Sequence, residues 1–373
     1  MSLPQPLIDL DDGDGLLTAD AEGLLRAAAM AGAQVRSTAE AVAEGALADI
    51  GGRDPARTLI WVGGRGTASS AGALLAALLG GSAGQPVIAV GEVPPWIGPL
   101  DVLVVAGDDP GDPVLVAAVA LGVRRGARVV IVAPSEGPLR DAGAGRAAVL
   151  APRVAVPEPL RLSGYLAAGL AVAGAVDARI GPDLAALADA LDGEALRSSA
   201  GRDLVTNPAK TLVQRMAGHQ VVLAGDDAAT VALARHGSAV VLRLGRTAVA
   251  ATGLADAIAA THGGPDPTAS IFHDEQIDGP LPPRLRVLAL TLSEQRTLSA
   301  ARIAGRPGVE MVAAGDIAEQ TEAREGDQEG DRVAADPLIE AGTVPVEQQL
   351  GVLAVRLEMA AVYLGLGAGM DGG

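Results

Sequence analysis

TLIWVGGRGTASSAG, residues 58–72, runs from a continuous apolar segment through a glycine-rich turn into an Ala/Ser/Leu segment of helical length. A buried strand that meets glycines and then a helix is the unit from which parallel α/β sheets are built, and ligands bind at such turns. The same texture continues on the C-terminal side. PVIAV (86–90), DVLVV (101–105), ARVVIVA (127–133) and AAVLA (147–151) are further short apolar runs separated by Ala/Leu-rich stretches. Strands this uniformly apolar, with helices between them, imply a parallel sheet covered on both faces. After a helical stretch at roughly 160–199 the pattern returns in QVVLA (220–224), SAVVL (238–242), ASIF (269–272), LRVLALTL (285–292) and VEMVA (309–313).

The fold class expected is therefore α/β. Two doubly wound units are predicted, each with a mainly parallel five-stranded sheet flanked by helices, over residues 1–200 and 201–373. VEQQLGVLAVRLEMAAVYLGLG (346–367) places Leu350, Leu353, Leu357, Ala360, Ala361 and Leu364 at helical spacing, which predicts a helix closing on one unit. The acidic stretch EQTEAREGDQEGDR (319–332) reads as a solvated loop or a polar helix.

Composition narrows the function. Hydrophobic residues make up 49% of the chain but aromatics only 1%, so Ala, Val and Leu must fill the core. A net charge of −17, with Lys210 as the only lysine, repels nucleic acid and anionic membranes, and neither is expected as a partner. The absence of cysteine excludes disulfides, a thiolate metal site and a cysteine nucleophile. The opening MSLPQPLIDLDDGDG lacks the basic and apolar regions of a signal peptide, and Leu162–Val176 is too short to span a bilayer, so a cytoplasmic location is expected.

Two turns carry the candidate chemistry. In the first, Gly63, Gly64 and Gly66 let the backbone approach a ligand, Thr67, Ser69 and Ser70 supply hydroxyls, and Arg65 supplies a charge for an anion. The same residues equally make a tight strand-to-helix turn. It is not a P-loop, because the Lys-Ser/Thr ending is missing. The second turn, VVAGDDPGDP (104–113), leaves the third strand with Asp108, Asp109 and Asp112 where phosphate-binding loops carry hydroxyls. Either Asp112 caps a helix that Pro113 opens, or the carboxylates meet sugar hydroxyls or a cation. A second AGDD at 224–227 makes the turn-and-cap reading more economical. Of the four histidines none has metal-site spacing, and no metal or cofactor is expected; His273 stands out beside Asp274 and Glu275.

These segments, in this order, resemble tandem SIS (sugar isomerase) domains, and more closely the bifunctional phosphoglucose/phosphomannose isomerase family. DLDDGDGLLTADAEGLLRAAAMAGAQVR is similar to that family's start, and WVGGRGTASSAG sits where it has GMGGSAIGG. VPEPLRLSGYLAAGL is similar to its P-x-x-P-R segment, TNPAKTLVQRMAGHQVVLAG to its N-x-A-K-x-L-A stretch, and SIFHDEQIDG to its HNEI segment. The resemblance implies Arg161 as an active-site arginine, and His273 as a histidine lent to the partner subunit of a homodimer.

The departures bear on activity. The family's S-x-S-G-x-T phosphate loop is AGDDPGDP here, its N-E-x-x-K base segment falls near LRLGRTAVAATGLADA (242–257) with no glutamate, and its terminal lysine is absent. A carboxylate at ~6 Å from a phosphate charge costs about 3 kcal/mol at an effective dielectric near 20. The resemblance therefore implies an isomerase-like protein for glucose 6-phosphate, mannose 6-phosphate and fructose 6-phosphate with a degraded site. A noncatalytic binder of a sugar derivative or partner protein, and a scaffold kept for dimer formation, stand beside it.

Overall fold

The computed structural model describes residues 9–51, 55–261, 284–315 and 344–368. Three short helices come first, α1 (Gly13–Ala19), α2 (Leu24–Ala28) and α3 (Ala31–Ala43). The first sheet follows in β1 (Thr58–Gly63), β2 (Val87–Val90), β3 (Asp101–Ala106), β4 (Arg128–Val132) and β5 (Ala147–Val149). Between them run α4 (Thr67–Leu79), α5 (Pro113–Arg125) and α6 (Gly137–Gly143), and after them α7 (Leu162–Val176) and α8 (Leu184–Arg197). The second part contains α9 (Pro208–Met216), β6 (Gln220–Gly225), α10 (Ala228–Leu244), β7 (Ala250–Gly253) and α11 (Leu254–Ala260). It ends with β8 (Leu285–Thr291), α12 (Arg296–Ile303), β9 (Val309–Ala313) and α13 (Val346–Ala368).

The sheets are ordered β2-β1-β3-β4-β5 and β7-β6-β8-β9, and every pairing is parallel. The second sheet has four strands among the described residues. One expected strand, ASIF, lies outside them, as does the acidic stretch 319–332. SAVVL (238–242) is a correction: these residues are the last turns of α10. That helix starts from a capping box, in which the Asp227 side chain accepts from Thr230 N and the Thr230 hydroxyl faces Asp227 N. Once started, its buried residues follow helical spacing through Leu233, His236, Gly237, Val240 and Val241, and tertiary packing overrides the β-branched pair. The strand that pairs with β6 on that side is β7, a half-exposed AATG.

Strand alternation divides the core. On β1, Ile60 and Val62 face an outer layer with α5 and α6, whereas Leu59 and Trp61 join an inner cluster. That inner cluster is continuous from β1 and β3 through α4, α7, α8, α10 and α13 to β6 and β8. Small residues allow this closeness: a side chain at Gly72 would collide with the Trp61 ring. The helix α13 is apolar enough by length and composition to cross a bilayer, yet 78% of its most apolar window is buried inside the protein.

Charged groups pin the inner layer. Arg356 on α13 donates to both Glu194 oxygens on α8 at 2.7 and 3.3 Å, and to the carbonyls of Ala313 and Ala314 after β9 at 2.7 and 3.0 Å. Lys210, fully buried, donates to the carbonyls of Ala200 and Arg202 at 2.7 and 2.8 Å, and Asn207 caps α9 through Lys210 N at 2.9 Å. Tyr363 closes the same corner by donating to Ser198 O at 2.7 Å, its phenol pushed up to about 12 by burial.

Candidate active site

Strand order in the first sheet reverses between β1 and β3, so the turns that leave these two strands flank a crevice. Gly63, Gly64, Arg65 and Ser69 line one wall of a cavity there, and Asp112, Pro113 and Val114 the other. The Arg65 side chain is 85% exposed, and its Nε stands 3.8 Å from Asp112 Oδ2.

Two helix N-termini point at the crevice, and each has free N–H groups that attract anions. Both are already engaged by carboxylates of the chain. At α5, Asp112 Oδ1 accepts from Val114 N at 2.8 Å, with Pro113 in the first turn. Asp109 turns back on its own loop, accepting from Gly111 N at 2.8 Å, and Asp108 is exposed. At α4 the engaged carboxylate comes from far along the chain. Glu158, in a single 3-10 turn between Pro157 and Leu160, accepts from Thr67 N at 2.6 Å through Oε1, and its Oε2 pairs with Arg243 of α10. Gly66 has φ 64° and ψ −131°, and a Cβ there would collide with Glu158 Oε1. Thr67 is buried, Ser69 is exposed, and the Ser70 hydroxyl reaches Gly66 O only at 3.5 Å.

Arg161 opens α7 and lies elsewhere. Its Nε donates to Val156 O at 3.0 Å, and it lines a different cavity with Gln34, Val132, Leu150 and Tyr165. The two cavities share no lining residue, so Arg65 and Arg161 are not brought into one pocket. Burial pushes the Tyr165 phenol up; Arg161 beside it works in the other direction, and Asp108 and Glu158 add to the rise. His273 lies outside the described residues. The second sheet has the equivalent crevice between β6 and β8, where Asp227 caps α10 and takes the Gln295 amide at 2.7 Å, and Asp226 pairs with Arg302. Among the described residues no group of three His, Asp or Glu side chains is arranged to hold a metal.

No family model matches the chain, and no curated protein matches it. Solved structures do. Tagatose-6-phosphate ketose/aldose isomerase of Escherichia coli superposes with a TM-score of 0.60 at 16% identity, over 98% of this chain and 96% of that one. The C-terminal domain of glucosamine-fructose-6-phosphate aminotransferase of Francisella tularensis gives 0.56 at 10% identity, over 95% and 96%. A Silicibacter pomeroyi protein assigned as a phosphosugar isomerase gives 0.57 at 13%, over 93% and 98%. This chain has the tandem sugar-isomerase (SIS) fold.

Within the SIS fold, the residue that sequence reasoning passed over is Glu158. It stands inside VPEPLRLSGYLAAGL, held between Pro157 and Pro159, three residues before Arg161. A carboxylate on a proline-stiffened turn was the available signal. Its target, the start of α4, is 91 residues away and could not be read from the sequence.

Proposed function

We propose that this SIS-fold protein is isomerase-like and binds a carbohydrate derivative at the β1–β3 crevice without turning it over. The motif resemblance makes glucose 6-phosphate, mannose 6-phosphate and fructose 6-phosphate the first candidates for the ligand class, held weakly because carboxylates already occupy both helix N-termini. The single observation that carries the reading is Glu158 on Thr67 N, since an own carboxylate stands where a helix N-terminus would otherwise greet an anion. Asp112 on α5 supports it from the facing wall. Aldose–ketose isomerisation needs a base free to take a proton from carbon and a grip on the phosphate. Here Glu158 has one oxygen on a backbone amide and the other on Arg243, while Asp109 and Asp112 each have one oxygen held by a backbone N–H of their own loop.

A homodimer in which His273 reaches the partner's crevice, a cytoplasmic location and a division of the chain near residue 200 complete the proposal; the motif resemblance supports them. Active isomerisation is the second reading, and one observation favours it: Glu158 puts a carboxylate within electrostatic reach of Tyr165, beside Arg161. One experiment separates the two. Interconversion of fructose 6-phosphate with glucose 6-phosphate and mannose 6-phosphate is followed in a coupled assay at high protein concentration, with His273→Ala and Glu158→Gln alongside. The proposal expects no turnover above background from folded protein, and a melting temperature raised by one of the sugars. Turnover that disappears in both variants overturns it.

A further inference from the structure

The cavity that holds Arg161 is unused by the crevice reading and has a chemistry of its own. It lies between α3, the segment after β5 and the first turns of α7, and is partly open to solvent. Its wall is mostly apolar, with Ala41, Val132, Leu150 and Ala168. Two donors stand out against that wall. The Tyr165 side chain is only 5% exposed, and its O–H has no acceptor among the described residues, the donor-only Arg161 guanidinium being its polar neighbour. Arg161 Nη1 is likewise buried and without a partner, because the guanidinium spends its Nε on Val156 O. Buried donors left bare are costly, more so when charged, so a site that keeps two of them side by side is built for acceptors.

We infer that this cavity binds a small organic monocarboxylate, with its two oxygens on Arg161 Nη1 and the Tyr165 hydroxyl and its carbon chain against Ala41, Leu150 and Ala168. Charge decides between a carboxylate and a phosphate. Asp108 and Glu158 are both felt at Tyr165, and the second guanidinium of the wall, Arg153, is already paired with Glu44, so a dianion would meet two like charges with only Arg161 left to offset them. A phosphate also offers more acceptor positions than two donors can satisfy, whereas a carboxylate matches a guanidinium and a hydroxyl one oxygen each. This cavity is separate from the β1–β3 crevice, with no lining residue in common, although the charges of Asp108 and Glu158 reach it.

The chain contains its own reporter. Trp61 is buried edge-on to Tyr165 with ring centroids 6.4 Å apart, and the other tryptophan, Trp96, is 49% exposed. In a Trp96→Phe background, Trp61 emission is titrated with sodium acetate, propionate, butyrate and inorganic phosphate at constant ionic strength. Saturable changes are expected for the carboxylates, with the dissociation constant falling about fourfold per methylene as the chain covers the apolar wall. Arg161→Gln should weaken butyrate at least ~10-fold, as removal of a charged hydrogen bond does. Ala41→Leu, which fills the cavity without touching either donor, should abolish the response, and Arg65→Ala should leave it unchanged. Absence of saturation in the parent protein, equal binding of phosphate, or a titration unaltered by both Arg161→Gln and Ala41→Leu overturns the assignment.

Discussion

Glu158 and Thr67 stand 91 residues apart in the chain, and the carboxylate of the first accepts the backbone N–H of the second at 2.6 Å. The contact ties the turn before α7 to the start of α4, and through Arg243 it reaches α10 of the second sheet. One side chain thus occupies the N-terminus of α4 and links the two halves of the molecule.

Replacing that charge should therefore alter affinity more than stability. Glu158→Gln keeps an oxygen for Thr67 N but removes the negative charge, and should strengthen glucose 6-phosphate binding by about 10-fold at physiological salt. Its cost in urea unfolding should be about 1 kcal/mol, the scale of a helix cap. Isothermal titration at fixed ionic strength, beside an unfolding curve, measures both.

The Arg356–Glu194 pair should behave in the opposite way. Arg356→Met leaves the Ala313 and Ala314 carbonyls bare and Glu194 with only Arg197 and a long hydrogen bond from the Ser198 hydroxyl, and should cost about 3–5 kcal/mol. Adding Glu194→Gln in the same chain should recover part of the loss, since the remaining buried charge goes with it. Urea midpoints at constant m-value decide the outcome.

A pH effect follows from Glu358, buried on α13 with His236 of α10 at 3.2 Å. Burial pushes its carboxyl above the ordinary 4.5, with His236 working against the rise. Above 4.5 the unfolded chain releases this proton while the native state keeps it. This contribution to stability is therefore full below 4.5 and falls as pH rises through the native pKa. Glu358→Gln, which mimics the protonated form, should flatten that slope in thermal melts from pH 4 upward; an unchanged slope would assign it to another group.

Lys210 gives a test of the corner where α8, α9 and α13 meet. Lys210→Met removes the fully buried ammonium from the carbonyls of Ala200 and Arg202, the second of them only partly buried, for a cost of about 1–3 kcal/mol. Lys210→Arg should rescue little, because a five-donor fork meets only those two carbonyls. Thermal unfolding of the three proteins shows the order.

Legibility in the sequence follows physical range. β1, β3 and β4 were readable because strands buried on both faces are apolar without interruption, and the Asp112–Pro113 pair announced its own helix start. Val240 and Val241 misled because a short β-branched run looks alike in a strand and in a packed helix, while β7, an edge strand of Ala, Thr and Gly, carries almost no signal. Arg65 reads as a charge for an anion and Arg161, through the resemblance, as an active-site arginine, but which cavity each lines depends on helix placement across the sheet, beyond any local pattern.

The position of α13 also sets the order in which this protein can be made. Its buried residues complete the same inner cluster to which β1 and α4 contribute. A ribosome adding about 5–20 residues per second therefore needs roughly 7–30 s to travel from the end of α8 to the start of α13. Throughout that interval the emerged first sheet has an unfinished apolar face, so chaperone demand during synthesis is a built-in property of this chain.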